Sequence, residues 1–199
     1  EIILDEDFRK YTGLNSDFIK NCKVSQEGKI MNADDIVDIC LQDKMFYEES
    51  GGGVTVSGGE PTSQPGFLIN ILKKLQDKGI QTAIETSAYC NEEVFKEIMQ
   101  YLDLVIFDVK HWNNDKHKSK TDVSNSLILR NISNVVRSGQ NYLARIPVIP
   151  GFNDSINDAK QFAKLFKEIG IEEVQILPFH QFGEKKYENL GLDYDSEGV

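Results

Sequence analysis

The chain has 199 residues, 40% of them hydrophobic and 27% charged, and a formal net charge of -10. This supplies enough apolar material for one domain-sized core. So acidic a chain, its lysines scattered among acids, argues against nucleic acid or an anionic membrane as a partner. No stretch approaches the length of a membrane span and no signal-peptide pattern opens the chain, so it reads as soluble and cytoplasmic. The three cysteines, Cys22, Cys40 and Cys90, are odd in number and far apart. That fits a reducing compartment rather than a disulfide framework, and they form no metal or cluster spacing among themselves.

After an irregular start, helical and extended patterns alternate. Ala33 to Phe46 places apolar residues at helical spacing behind an Asn32 cap, and Gly51-Gly52-Gly53 breaks it. Further helices are expected over Pro65 to Leu75, stopped by Gly79, and over Glu92 to Tyr101. Two more run from Asn125 to Val136, ending at Gly139, and from Ile156 to Ile169, ending at Gly170. Each precedes an apolar run of strand character: Val54 to Val56, Ile80 to Ile84, Leu104 to Phe107, Tyr142 to Ala144 and Val174 to Leu177. This pattern predicts an α/β fold with a parallel sheet, closed or partly closed into a barrel.

Each run ends in a polar group that can bind or titrate. The endings are Gly58-Gly59-Glu60, Glu85-Thr86, Asp108-Val109-Lys110, Arg145 and His180. A βα barrel builds its active site at the C-terminal ends of its strands, whereas core packing alone would not place a charge at the same end of every one. Asp108 and Lys110 are two apart and so share a face of their strand. The glycine string fits neither a P-loop nor a dinucleotide fingerprint, which disfavours a phosphate-binding barrel. A plain turn at the glycines, a structural ion pair among Glu85, Asp108 and Lys110, and a surface role for His180 are the bland alternatives. His111 and His117 fall in a lysine-rich stretch and read as solvated or docking-surface residues. Cys40 and Cys90 read as small buried hydrophobes.

The order of strings from Gly51-Gly52-Gly53-Val54-Thr55-Val56-Ser57-Gly58-Gly59-Glu60-Pro61 through Ile84-Glu85-Thr86-Ser87, Phe107-Asp108-Val109-Lys110 and Arg145-Ile146-Pro147-Val148-Ile149-Pro150-Gly151-Phe152-Asn153-Asp154 to Leu177-Pro178-Phe179-His180 resembles the radical S-adenosylmethionine activating enzymes of glycyl radical enzymes. The pyruvate formate-lyase activating enzyme belongs to that group. The resemblance implies a partial (β/α) barrel that binds S-adenosylmethionine and a [4Fe-4S] cluster. It implies a 5'-deoxyadenosyl radical that takes a hydrogen from a glycine of a partner glycyl radical enzyme, with flavodoxin or ferredoxin as reductant. Carried over residue by residue, Gly58, Gly59 and Glu60 would hold the methionine end of the cofactor, and Asp108, Val109 and Lys110 would meet its carboxylate and neighbouring groups. Arg145 and His180 would complete the pocket, with Glu85 and Thr86 beside it, Glu85 standing where aspartate is common.

The departure lies upstream. The family holds its cluster with CxxxCxxC, and no such triplet occurs in this chain. Ile2 to Cys22 resembles a worn copy of the family's ferredoxin-like insert, in which Thr12, Asn15 and Phe18 occupy the places of three ligands. Residues 1–30 are therefore expected to be a degenerate insert remnant and linker, and residues 31–199 the barrel core, with the first strand and cluster loop missing. A fragment of an activase is favoured, because the pocket residues are kept. The alternative is a cluster-less homologue acting as an S-adenosylmethionine-binding or regulatory module.

Overall fold

The structure, a computed structural model, describes residues 29–179, and the compact unit Met31–Phe179 carries the fold. The expected insert remnant at Ile2 to Cys22, and His180, lie outside the described residues. Five strands, β1 (Gly53–Val56), β2 (Gln81–Thr86), β3 (Leu104–Asp108), β4 (Tyr142–Pro147) and β5 (Val174–Leu177), form one sheet in sequence order. Every pairing is parallel. Among the described residues β1 and β5 each pair on one side, so the sheet is open, as a partial barrel requires.

The helices are α1 (Ala33–Leu41), α2 (Lys44–Ser50), α3 (Pro65–Asp77), α4 (Glu92–Met99), α5 (Asn114–Thr121), α6 (Ser126–Arg137) and α7 (Ile156–Ile169). Asn32 caps α1 through the Asp35 N–H, Asn91 caps α4, and Ser155 caps α7 through the Asp158 N–H, each satisfying an orphan donor of a first turn. The structure corrects one expectation and adds one element. The single helix over Ala33 to Phe46 is two, because Gln42 and Asp43 make short-range bonds back to Ile39 and Cys40 and restart the helix. The lysine-rich stretch, to which the sequence pattern assigned no element, contains α5, capped by Asn113.

Strand parity divides the sheet. Ile84, Val105, Phe107, Ala144 and Ile146 lie under the helices with Leu72, Phe95, Ile98 and Ile132 as the main core. A smaller cluster of Ala33, Val37, Ile71, Leu75 and Ile80 seats α1 against α3. Gly53 is demanded by packing: a Cβ there would collide with the Gln81 carbonyl on the neighbouring strand. The alternate residues Thr55, Ala83, Glu85, Asp108 and Arg145 face the other side, which is only partly buried.

Candidate functional site

This second face of the sheet carries a row of polar side chains at the C-terminal rim. Asp108 and Arg145 are register partners on β3 and β4, and Arg145 and Gln175 are partners on β4 and β5. Side chains in register on a parallel sheet share a face, and the contacts follow. Arg145 donates to Glu85 at 2.7 Å and to Gln175 at 3.1 Å, and Ser57 donates to Glu85 at 3.3 Å. The strands β2, β4 and β5, with the residue after β1, are thus joined across the rim by one chain of polar contacts that passes over β3.

Asp108 sits in this row with an unmet need. Its Oδ1 is buried without a hydrogen-bond partner. Burial pushes the carboxyl above its ordinary value, against the opposing pull of Lys110 and Arg145, while Glu85 adds to the rise. Lys110 follows one residue beyond the buried Val109, whose N–H extends the sheet ladder to the Arg145 carbonyl at 2.8 Å. Among the described residues the Lys110 ammonium has no hydrogen-bond or salt-bridge partner. A buried unpaired acceptor and a cation without a hydrogen-bond or salt-bridge partner among the described residues are what a zwitterionic ligand end requires.

Thr86, adjacent to Glu85, points to the opposite face, and its role differs. Glu60 reaches across to it: Glu60 Oε1 accepts from the Thr86 hydroxyl at 2.6 Å and from the Thr62 hydroxyl and N–H at 2.8 and 3.2 Å. Glu60 Oε2 accepts from the Ser87 hydroxyl at 2.6 Å and the Ser87 N–H at 2.9 Å. Burial raises the Glu60 carboxyl, but the bonds from Ser87, Thr86 and Thr62 outweigh it and hold it below its ordinary value. The carboxylate therefore staples the loop after β1 to the loop after β2. What Gly58 and Gly59 expose is backbone: Gly58 has φ +124°, and a Cβ on Gly58 or Gly59 would meet no atom within 4 Å. A cavity of about 570 Å³ beside Gly59 and Glu60 is lined by Ile36, Cys40, Val54 and Phe67.

The two histidines expected to be solvated are buried, His111 at 0% and His117 at 3% exposure. His117 donates from Nδ1 to the Val123 carbonyl at 2.9 Å, which closes α5 onto the segment that follows it. His111 accepts at Nδ1 from the Asn113 N–H at 2.9 Å and donates from Nε2 to the Phe152 carbonyl at 3.2 Å, so its neutral tautomer is defined. Their charged sequence neighbours face outward while the imidazoles turn in, which linear composition does not reveal. Trp112, Asn125, Asn153 and Asp158 also join the loops here and carried no expected role. The signals for two of them were legible: Ser155-x-x-Asp158 is a capping pattern, and Asn153 lies in the Pro-Gly-Phe-Asn-Asp string.

Among the described residues, no group of three or more His, Cys, Asp or Glu side chains could hold a metal ion. Cys40 is half-buried and Cys90 buried, and burial raises both thiols above their ordinary value. No described helix is long and apolar enough to cross a membrane.

Comparison with known proteins gives the family and the fold. A profile described as the radical SAM superfamily matches residues 11–165. The chain is 39% identical over 175 residues to the (2S)-3-sulfopropanediol dehydratase activating enzyme of Klebsiella oxytoca, covering 86% of this chain and 55% of that protein. It is 35% identical over 184 residues to the pyruvate formate-lyase-activating enzyme of Staphylococcus epidermidis, covering 89% and 73% respectively. A crystallised domain of the pyruvate-formate lyase-activating enzyme from Bacteroides vulgatus superposes with a TM-score of 0.60 at 32% identity, covering 70% of this chain and 93% of that one. The chain spans about half the length of the Klebsiella protein.

Proposed function

The chain belongs to the radical SAM superfamily and, within it, to the glycyl-radical-enzyme activating enzymes, and from that premise we propose that its C-terminal rim binds S-adenosylmethionine in an activase acting on a partner glycyl radical enzyme. The observation that carries this reading is the pairing of the orphaned Asp108 Oδ1 with a Lys110 ammonium that, among the described residues, has no hydrogen-bond or salt-bridge partner, beside an open glycine backbone. A methionine moiety has an ammonium and a carboxylate. Asp108 and the carbonyls of Gly58 and Gly59 would accept from the ammonium, and Lys110 would meet the carboxylate. Glu85 and Arg145, held to each other, would border the remainder, Val109 would anchor the segment through its backbone, and Thr86 would act through Glu60. His180 would close the pocket.

When bound, S-adenosylmethionine supplies, on accepting one electron at its sulfonium, methionine and a 5'-deoxyadenosyl radical that takes a hydrogen atom from a glycine α-carbon. The rim residues orient the cofactor by its charged end and keep the half-buried rim dry. The electron would come from a [4Fe-4S] cluster reduced by flavodoxin or ferredoxin in the cytoplasm. Residues 29–179 do not fit that cluster: their cysteines are Cys40 and Cys90, raised by burial, and no third ligand joins them. A second reading, a cluster-less S-adenosylmethionine-binding module, is favoured by the sequence of Ile2 to Cys22, where Thr12, Asn15 and Phe18 stand in the places of three insert ligands.

Calorimetric titration of the chain with S-adenosylmethionine tests the site. The parent should bind. Gly59→Val, whose Cβ displaces no protein atom, should fold and fail to bind, and equal binding by this variant would place the site elsewhere. Lys110→Ala should weaken binding about ten- to a hundredfold, from a charge-assisted contact of roughly 1.5–3 kcal/mol. The activity is tested separately, by joining the chain to an upstream segment bearing the family's CxxxCxxC under anaerobic, reducing conditions. The expected products are 5'-deoxyadenosine and a glycyl radical signal in the partner by electron paramagnetic resonance. If that protein holds a cluster and binds the cofactor but yields neither, the module reading replaces the activase.

A further inference from the structure

We propose that Asn153 is a positioning residue for Lys110: it locks the turn after β4 to the segment after β3, and together with His111 and Trp112 it makes the two loops one body that presents the Lys110 ammonium at the rim.

The Asn153 side chain is buried, 4% exposed, and every part of its amide is used. Its Nδ2 donates to the Lys110 carbonyl and to the Pro147 carbonyl, both at 2.8 Å, and its Oδ1 accepts from the Ile149 N–H at 2.7 Å. A primary amide offers two donors and an acceptor in one plane. Aspartate cannot donate and leucine can do neither, so the residue type follows from what it must satisfy. The bond to Lys110 spans 43 positions in the chain. It is one of two tethers between these loops, and a third bond ties the segment after β3 to the first turn of α7. His111 donates from Nε2 to the Phe152 carbonyl at 3.2 Å, and Trp112 donates from Nε1 to Asp158 at 2.8 Å. From the other flank, Asn125 donates to the His111 and Trp112 carbonyls at 3.1 and 3.3 Å.

Lys110, His111 and Trp112 are thus each held through backbone or ring, while the Lys110 ammonium itself is left without a partner among the described residues. The long lysine side chain has many rotamers. Fixing its backbone is the means by which the fold narrows where the charge can go, and preorganisation of that kind strengthens binding by reducing the ordering cost. Asn153 itself touches no ligand. It acts through Lys110.

The inference rests on the reading of the rim as the S-adenosylmethionine site, and two measurements keep the two apart. The first is a double-mutant cycle in calorimetric S-adenosylmethionine binding, with Asn153→Ala, Lys110→Ala and the pair. Asn153→Ala should weaken binding about tenfold, and in the Lys110→Ala background it should add less than about twofold. Independent effects that multiply would overturn the proposal. The second needs no ligand: limiting acetylation with acetic anhydride, read peptide by peptide by mass spectrometry. Asn153→Ala should change the labelling rate of Lys110 at least about threefold relative to the exposed Lys96 of the same chain, and an unchanged ratio would overturn the clamp. Should the alanine variant fail to fold, Asn153→Ser, which disturbs the turn less, carries both measurements with the same expected direction. Absence of binding by the parent chain would refute the site assignment and leave the labelling result to decide the clamp.

Discussion

Replacing Glu60 by glutamine removes the charge at the centre of the staple between the loops after β1 and β2, and the cost can be worked from the five bonds it accepts. With the new NH2 placed on the Ser87 side, the Ser87 hydroxyl can rotate to accept, but the Ser87 N–H, 2.9 Å from Oε2 in the parent, cannot. Leaving that donor unmet costs roughly 1–3 kcal/mol. The three bonds to Oε1 pass from charged to neutral acceptors, which weakens them, although solvent access to a half-buried group returns part of the loss. The expected destabilisation is about 2–3 kcal/mol. Urea unfolding followed by the fluorescence of the single tryptophan, Trp112, reads this as a midpoint lower by about 1 M at an m of roughly 2–3 kcal/mol/M, with m unchanged. A pH series adds a signed check. Because the Glu60 carboxyl is depressed below its ordinary value of 4.5, its contribution is present above that pH and lost as pH falls through the folded value. The gap between parent and variant should therefore close in acid. A midpoint within about 0.2 M of the parent at neutral pH would refute the staple.

Gly53→Ala should destabilise by about 3 kcal/mol or more through collision with the Gln81 carbonyl, whereas Gly59→Ala, with open space at its Cβ, should shift the same midpoint little. Asp108→Asn should hold or raise stability by up to about 1 kcal/mol, since the carboxylate is buried with an unpartnered oxygen, yet lose most S-adenosylmethionine binding; thermal unfolding and calorimetry on one preparation separate the two. His111 is lowered from its ordinary value of 6.5 chiefly by burial, against its bond to Phe152 and the charge of Asp158, with Lys116 and His117 lowering it further. The unfolded chain then takes up a proton before the folded one, so stability should fall as pH drops below about 6.5 and level off under the depressed folded value. His111→Gln should flatten that part of the profile, and a parent that is stable without change from pH 7 to pH 5 would count against a neutral, buried His111.

The strands and the polarity of their ends are legible in the sequence because both are written locally. A short apolar run followed by Gly, Glu, Asp or Arg marks a strand that closes at a rim, and the five expected strands lie within a few residues of where the sheet has them. The spacing of Asp108 and Lys110 predicts a common face through the two-residue period of a strand, and the register of Asp108 with Arg145 joins Asp108 to the neighbouring strand. The same period parts the adjacent Glu85 and Thr86: one belongs to the polar row at the rim, the other to the Glu60 staple.

What lay beyond the sequence was every relation that needs two distant segments in contact. Glu60 reads as a ligand residue until the hydroxyls of Thr86 and Ser87 arrive at its carboxylate. His111 and His117, set among lysines, read as solvated until the turns around α5 carry their rings inward and the lysines out. Asn153 belongs to a recognisable string, but its task is defined by a carbonyl 43 positions away. Side-chain period and strand-end chemistry are properties of neighbouring residues, so the chain by itself determined the sheet, its orientation and the rim on which the charges gather. The partners of those charges are chosen by loop packing, where burial leaves no water to satisfy a polar group, and only the tertiary structure decided them.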